Sequence, residues 1–436
     1  MLVLLERLTA RNGKSRWKCA KAASFSLFRF PDLPFRTIGK ANLAVPAKTF
    51  VLRRSIYHMK TTDALLSLVG LGAMAITGML LLSPGTVLAQ GLAGTQEQRA
   101  EQAKLEESYP KLQVNDRYLR LSIPGQTMGQ TVGVATNSKG HLFVYSRSVN
   151  QGLARGGKAA MLWEFDQNYK FVKEWGPNNY AEAFAHAVRV DKQDNVWQVD
   201  EGSGMVVKYD PEGQSIFWLG RTPEAIDYLQ GNLEILHFGR PNPPDRNQHP
   251  TGRKGAFDRE TDVAFDSQGN IFVADGYGNS RVVKISADGH WLKMLGTWGH
   301  EQDQFSTPHS IASDSQNNVY VADRGNRRIQ VYDDDLNFKK SITGIGAPWA
   351  LCVTDSTPQY MFSGDGTGKV YKMDMDGKVL GMFITGQDHG AEDTGNLIHS
   401  LDCRNPNTVY VGSASMWDVQ KVTISTNTTT TSSLRK

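Results

Sequence analysis

One two-part phrase recurs six times along this 436-residue chain and constrains its fold more than any other feature. Each copy is a short apolar run, a polar turn and a second apolar run. The copies are Val132–Thr136 with Leu142–Tyr145, His186–Val190 with Asn195–Asp200, and Thr261–Phe265 with Asn270–Asp275. They continue with Thr307–Asp314 and Asn318–Asp323, Trp349–Val353 and Gln359–Phe362, and His399–Cys403 and Thr408–Val411. A third run follows most copies (Arg281–Ile285, Arg328–Tyr332, Lys369–Met373), and often a fourth such as His290–Leu295. Four antiparallel strands repeated every ~40–50 residues predict an all-β chain folded as a six-bladed β-propeller. Each twisted sheet needs its neighbours to cover its faces, so the repeats close into a ring.

The sixth copy has too little chain after Lys421–Ile424 for a fourth strand. Tyr118–Ile123 alternates apolar and polar residues with period two and is expected to complete that blade. The propeller is therefore expected over 118–424. Before it, 90–117 is polar and Glu/Gln-rich, without an apolar stripe, and reads as a linker or short helix. After it, the Thr/Ser-rich 425–436 reads as a disordered tail. The interval from His186 to Thr261 is 75 residues, and its excess, Arg221–Arg259, reads as an inserted loop of the kind that builds or covers a binding site.

The formal charge of +4 misleads about partners, because residues 1–60 carry 13 Lys/Arg against Glu6 and Asp32. Residues 61–436 hold 35 basic and 42 acidic residues, a net of −7, which argues against a nucleic-acid partner. Met59-Lys60, the apolar run Ala64–Leu82 and Val87-Leu-Ala89 have the layout of a secretory signal over 59–89, with 1–58 read as an upstream basic extension or a start assigned too early. An uncleaved membrane anchor is the alternative, since about 19 apolar residues can span a bilayer. Either reading places the propeller outside the cytoplasm, secreted or periplasmic, and membrane contact is expected only if the leader stays uncleaved. Past the leader only Cys352 and Cys403 remain, and they read equally as a disulfide or as two buried apolar residues.

Aligning the first residue of each copy gives Val132, His186, Thr261, His309, Trp349 and His399. Histidine occupies copies two, four and six, which a six-bladed ring places about 120° apart around its channel. Three imidazoles at one level with an open fourth position form the ligand set of a catalytic zinc. His237, His249, His290, His300 and His389 fall outside that register. The hairpin returns the end of each second strand to the same mouth. That brings up Ser146-Arg147-Ser148, Glu201-Gly202, Gly276-Tyr277-Gly278 and Arg324-Gly325. Tyr277, Arg147 and Arg324 are the catalytic candidates. Beside zinc and guanidinium the Tyr277 phenol is expected to titrate below its ordinary range, as suits a general base. Asp275/Asp323, Asn279/Asn326 and Arg281/Arg328 recur in register and read as builders of the blade turn.

These segments resemble the NHL-repeat propellers and, more closely, the peptidyl-α-hydroxyglycine α-amidating lyases. The likeness rests on Phe143-Val-Tyr-Ser-Arg147, Ala185-His186, Leu219-Gly-Arg221, Asp275-Gly-Tyr-Gly-Asn-Ser-Arg281, Pro308-His-Ser310 with Ala322-Asp-Arg324, and Ile398-His399. It implies that His186, His309 and His399 bind zinc, that Tyr277 is the base on a substrate hydroxyl, and that Arg147 assists it. It implies a carbon–nitrogen lyase that splits a C-terminal α-hydroxyglycine of a small molecule or peptide into an amide and glyoxylate. A monomer is expected. The family's structural calcium loses a carboxylate here, because Leu397-Ile-His-Ser400 stands where Met-Pro-His-Asp is common. Gly278 stands where the family has a cysteine, so a disulfide beside the tyrosine is absent. A non-catalytic NHL propeller that binds a protein or glycan is the alternative. A propeller lactonase fits less well, since such sites are lined by carboxylate and Asn rather than by a histidine triad.

Overall fold

The computed structural model describes residues 95–147, 159–220, 255–386 and 396–425. The leader, most of the expected insertion (221–254), the tail beyond Ser425, and Ser148, His237, His249 and His389 lie outside them. Six four-stranded antiparallel sheets are present among the described residues, alongside one two-stranded pair, Thr297–Trp298 with Gln304–Phe305. The inner strands are Thr131–Thr136, Ala185–Val190, Asp262–Phe265, Pro308–Ser313, Pro348–Val353 and Ile398–Asn405. Each inner strand packs on the next, and the sixth returns to the first. The chain is a six-bladed β-propeller.

Six buried apolar clusters hold the ring, one at each junction between blades. Fully buried Phe143, Tyr145 and Leu162 of blade 1 meet Val188, Val196 and Tyr209 of blade 2, for example. Burying such a side chain contributes about 1.5–3 kcal/mol, and both faces of each blade gain it only when the ring is closed. Among the described residues, Cys352 and Cys403 are joined by a disulfide with Cα atoms 5.9 Å apart, linking the inner strands of blades 5 and 6.

Ring closure differs from the expectation in its register. The strand that completes blade 6 is Val114–Tyr118, paired antiparallel with Gln420–Ile424, and not Tyr118–Ile123. Leu119, Leu121 and Ile123 do bury toward blade 1, which is the alternation visible in the sequence. The ladder nevertheless ends before them, because Arg120 adopts a left-handed conformation (φ 56°) and Asp418 accepts the Arg120 and Leu121 amides. The propeller sheet therefore starts four residues earlier than the expected boundary at 118. The preceding segment includes helix α1, Gln96–Ser108, opened by a capping box between Thr95 and Gln98. It docks through polar groups: Glu106 accepts from Tyr371 at 2.6 Å and pairs with Lys369 at 2.7 Å, and Gln102 donates to Gly344 O at 3.1 Å. Among the described residues no helix is long and apolar enough to cross a membrane.

The buried aspartates at the ends of second strands build turns, as their recurrence implied. Asp275 accepts from the Asp258 amide, Asn279 and Arg281, and Asp323 does the same with Ser306, Asn326 and Arg328.

Candidate metal centre and its mouth

The register position holds a local irregularity of the inner strand. The pairing shifts at Val132, His186, His309, Trp349 and His399, each inserted as an extra residue opposite its second strand. A bulge turns that one side chain out of the sheet's alternation. In blade 3, Thr261 stands just before the inner strand. The rings of His186, His309 and His399 have centroids 4.5–4.9 Å apart, and their ligand atoms all lie within 4.8 Å of one another.

Each even blade is tied to the next odd one through this position. His186 Nδ1 donates to Thr261 O at 2.5 Å, His309 Nδ1 to Trp349 O at 2.6 Å, and His399 Nδ1 to Val132 O at 2.9 Å. That arrangement sets the tautomer and leaves each Nε2 unprotonated, as metal-binding imidazoles require. Burial, with neighbouring imidazole and guanidinium charge, holds all three histidines well below their ordinary range, so they are neutral. Among the described residues His186 Nε2 is buried without a hydrogen-bond partner. Three neutral imidazoles around one unsatisfied buried nitrogen are a donor set that fits zinc.

Calcium does not fit at the level below. The Ser400 hydroxyl accepts the Val134 amide at 3.1 Å, and the cation at this depth is Arg189. Its guanidinium bridges Asp262, Ser310 Oγ, Leu351 O and Leu401 O, reaching from blade 2 to blades 3, 4, 5 and 6.

Tyr277 and Arg324 meet the triad directly. The Tyr277 hydroxyl lies 3.0 Å from His309 Nε2, and Arg324 Nη1 donates to that hydroxyl at 3.3 Å while stacking on Trp349. Arg147 shares the pocket without touching the phenol. Its Nε donates to Ala185 O at 3.0 Å, its Nη1 to Gln130 Oε1 at 3.2 Å, and its plane lies over Phe184. The chain turns sharply into Tyr277 because Gly276 packs on the next blade: a Cβ there would sit 1.9 Å from Pro308 O. Where the family has cysteine, Gly278 is pressed against Asp258, and its amide donates to Asp258 O at 3.0 Å.

The protein groups around it push the Tyr277 phenol above its ordinary range, while the fall expected for it counted the charge of zinc as well. Burial outweighs Arg324 and Arg147, and Glu201 adds to the rise. Glu201 and Arg259 are mouth residues to which the sequence reading assigned no role. Glu201 had a signal, because a spacing of fifteen residues links Val132 to Arg147, His186 to Glu201 and His309 to Arg324. Arg259, whose Nη2 donates to Tyr277 O at 3.1 Å, had none.

Residues 261–285 and 305–332 match the family described as NHL repeat. Two blades, the third and the fourth, carry NHL repeats. These two blades thus supply Tyr277, His309 and Arg324. Over 233 residues the chain is 28% identical to a Caenorhabditis elegans protein named as a probable peptidyl-alpha-hydroxyglycine alpha-amidating lyase, covering 49% of this chain and 58% of that one. It is 30% identical over 218 residues to human NHL repeat-containing protein 3, covering 49% and 55%. Rat peptidylglycine alpha-amidating monooxygenase is 26% identical over 332 residues, covering 68% and 30%. The chain therefore spans little more than half the length of the first two relatives and under a third of the last. It is similar both to proteins named as amidating enzymes and to an NHL protein whose name carries no activity.

Proposed function

We propose that this NHL propeller is an exported zinc-dependent lyase of the amidating type, cleaving the C–N bond of a C-terminal α-hydroxyglycine to give an amide and glyoxylate. The observation that carries this reading is the convergence of three neutral, backbone-anchored imidazoles with Tyr277 and Arg324 in one buried pocket. His186, His309 and His399 would hold zinc, which supplies a Lewis acid able to lower the pKa of a substrate hydroxyl.

Tyr277 stands where it can take the proton of a hydroxyl in this pocket, 3.0 Å from His309 Nε2. Burial alone keeps the phenol protonated, so acting as the base would require the charge of zinc at the triad together with Arg324, which stabilises the phenolate. The hydroxyl's electron pair becomes the carbonyl of glyoxylate as the C–N bond breaks, and the departing nitrogen takes a proton to leave as the amide. The guanidinium of Arg324 suits the substrate carboxylate. The disulfide between Cys352 and Cys403 supports an oxidising compartment and hence export. A monomer with a small-molecule or peptide substrate is part of the same reading.

Metal analysis of the purified protein tests the first half. About one zinc per chain is expected, lost in His309→Ala, and an unchanged content in that variant would sink the reading. Incubation with an α-hydroxyglycine peptide tests the second half. Glyoxylate release is expected to fall by about 100-fold or more in Tyr277→Phe. Zinc bound without any glyoxylate release would leave a propeller that binds a protein or glycan, a reading favoured by the likeness to the human NHL protein.

A further inference from the structure

Three guanidiniums, Arg147, Arg259 and Arg324, surround Tyr277, and they are not equivalent. Arg147 lies 3.9 Å from Glu201 Oε2, both side chains 12% exposed, and Arg259 lies 3.6 Å from Asp258 Oδ1. Among the described residues Arg324 has no carboxylate in an ion pair, and its contacts are the Tyr277 hydroxyl and the Trp349 ring. Arg147 is further immobilised by Ala185 O, Gln130 and the Phe184 ring.

We propose that Glu201 is a positioning residue that sets the charge of this pocket: paired with Arg147, its carboxylate withdraws that guanidinium from anion binding and leaves Arg324 as the receptor for a single substrate carboxylate. The lyase reading supplies the identity of that anion, an N-acyl-α-hydroxyglycine. The groups facing Glu201 are Arg147, Arg259, Arg324, Asp200 and the Tyr277 phenol. Burial pushes its carboxyl up to about 7 against the pull of Arg147, Arg259 and Arg324, with Asp200 adding to the rise. As the pH falls through that value Glu201 takes up a proton, Arg147 loses its counter-charge, and the pocket becomes more positive.

Hippurate, an N-acylglycine that lacks the reacting hydroxyl, is the probe, measured by calorimetry on the zinc-loaded protein at pH 6 and pH 8. The wild type is expected to bind it about three- to tenfold tighter at pH 6. Glu201→Gln should hold the tight value at both pH values, Glu201→Asp should restore the pH dependence, and Arg147→Met added to Glu201→Gln should abolish the gain. The proposal is overturned if Glu201→Gln keeps the wild-type pH dependence, binds no tighter at pH 8, fails to bind at either pH, or keeps its gain without Arg147. Glyoxylate release from N-benzoyl-α-hydroxyglycine is measured in parallel. Its absence in the wild type would defeat the lyase reading, while the hippurate titration still decides the role of Glu201.

Discussion

Each channel imidazole is held from behind by a carbonyl of the following blade, so its Nε2 direction is set by backbone rather than by another side chain. Such pre-orientation avoids an ordering cost when a ligand arrives. The types of these residues were legible in the sequence: histidine at alternate copies, Tyr277 and two arginines past the second strands. Their titration was not. The fall expected at Tyr277 counted zinc and guanidinium and left out burial, which raises the phenol and is a property of the folded pocket. Glu201 makes the same point in a testable form. Its folded value of about 7 lies above the ordinary carboxyl value of 4.5, so the folded state holds the proton more tightly. The stability this contributes is complete below about pH 4.5 and is lost as pH rises through about 7. Glu201→Gln should therefore gain melting temperature relative to wild type on going from pH 5 to pH 8, and thermal scans across that window check it. A constant difference would show that the carboxyl titrates where an exposed one does.

At the scale of elements, the bulge in five of the inner strands, the three histidine-bearing ones among them, is what makes a repeated position functional. Regular alternation would send every second residue into the junction between blades, whereas the inserted residue turns into the channel. The repeat was legible because apolar runs and turn residues recur at a steady period. The bulge was not, since it changes neither composition nor spacing. Helix α1 could not be told from a linker for a different reason: it docks through Gln102 and Glu106 and shows no apolar stripe to read. The closing strand was anticipated in kind and misplaced in register, because the alternation at Leu119, Leu121 and Ile123 reports burial outside the ladder. Its contribution can be measured by shortening the chain. A protein that begins at Gln113 should keep a cooperative unfolding transition, and one that begins at Leu119 should lose it or melt far lower. Without Val114–Tyr118, strand Gln420–Ile424 becomes an exposed edge and its apolar cluster opens to water.

The whole molecule is a ring whose strength lies in closure. Blades 5 and 6 are additionally joined by Cys352–Cys403, which closes a loop with a sequence separation of 51 residues. Loop closure of that length restricts the unfolded chain, so Cys352→Ser should cost about 2–4 kcal/mol, read as a lower midpoint in denaturant. A midpoint unchanged from wild type would show that the pairing adds nothing. The sequence could not choose between a disulfide and two buried thiols, because bonding depends on two inner strands approaching across a junction. What the sequence determined by itself is whatever repeats: an all-β chain, six blades, and histidine in every second one, all carried by local patterns of period two and by copy-to-copy comparison. Tertiary structure alone decided where the ring closes, which carbonyl holds each imidazole, and that Arg147 pairs with Glu201 while Arg324 has no paired carboxylate among the described residues. Those relations join different blades, and the distance along the chain says nothing about which groups a closed ring brings within a few ångströms.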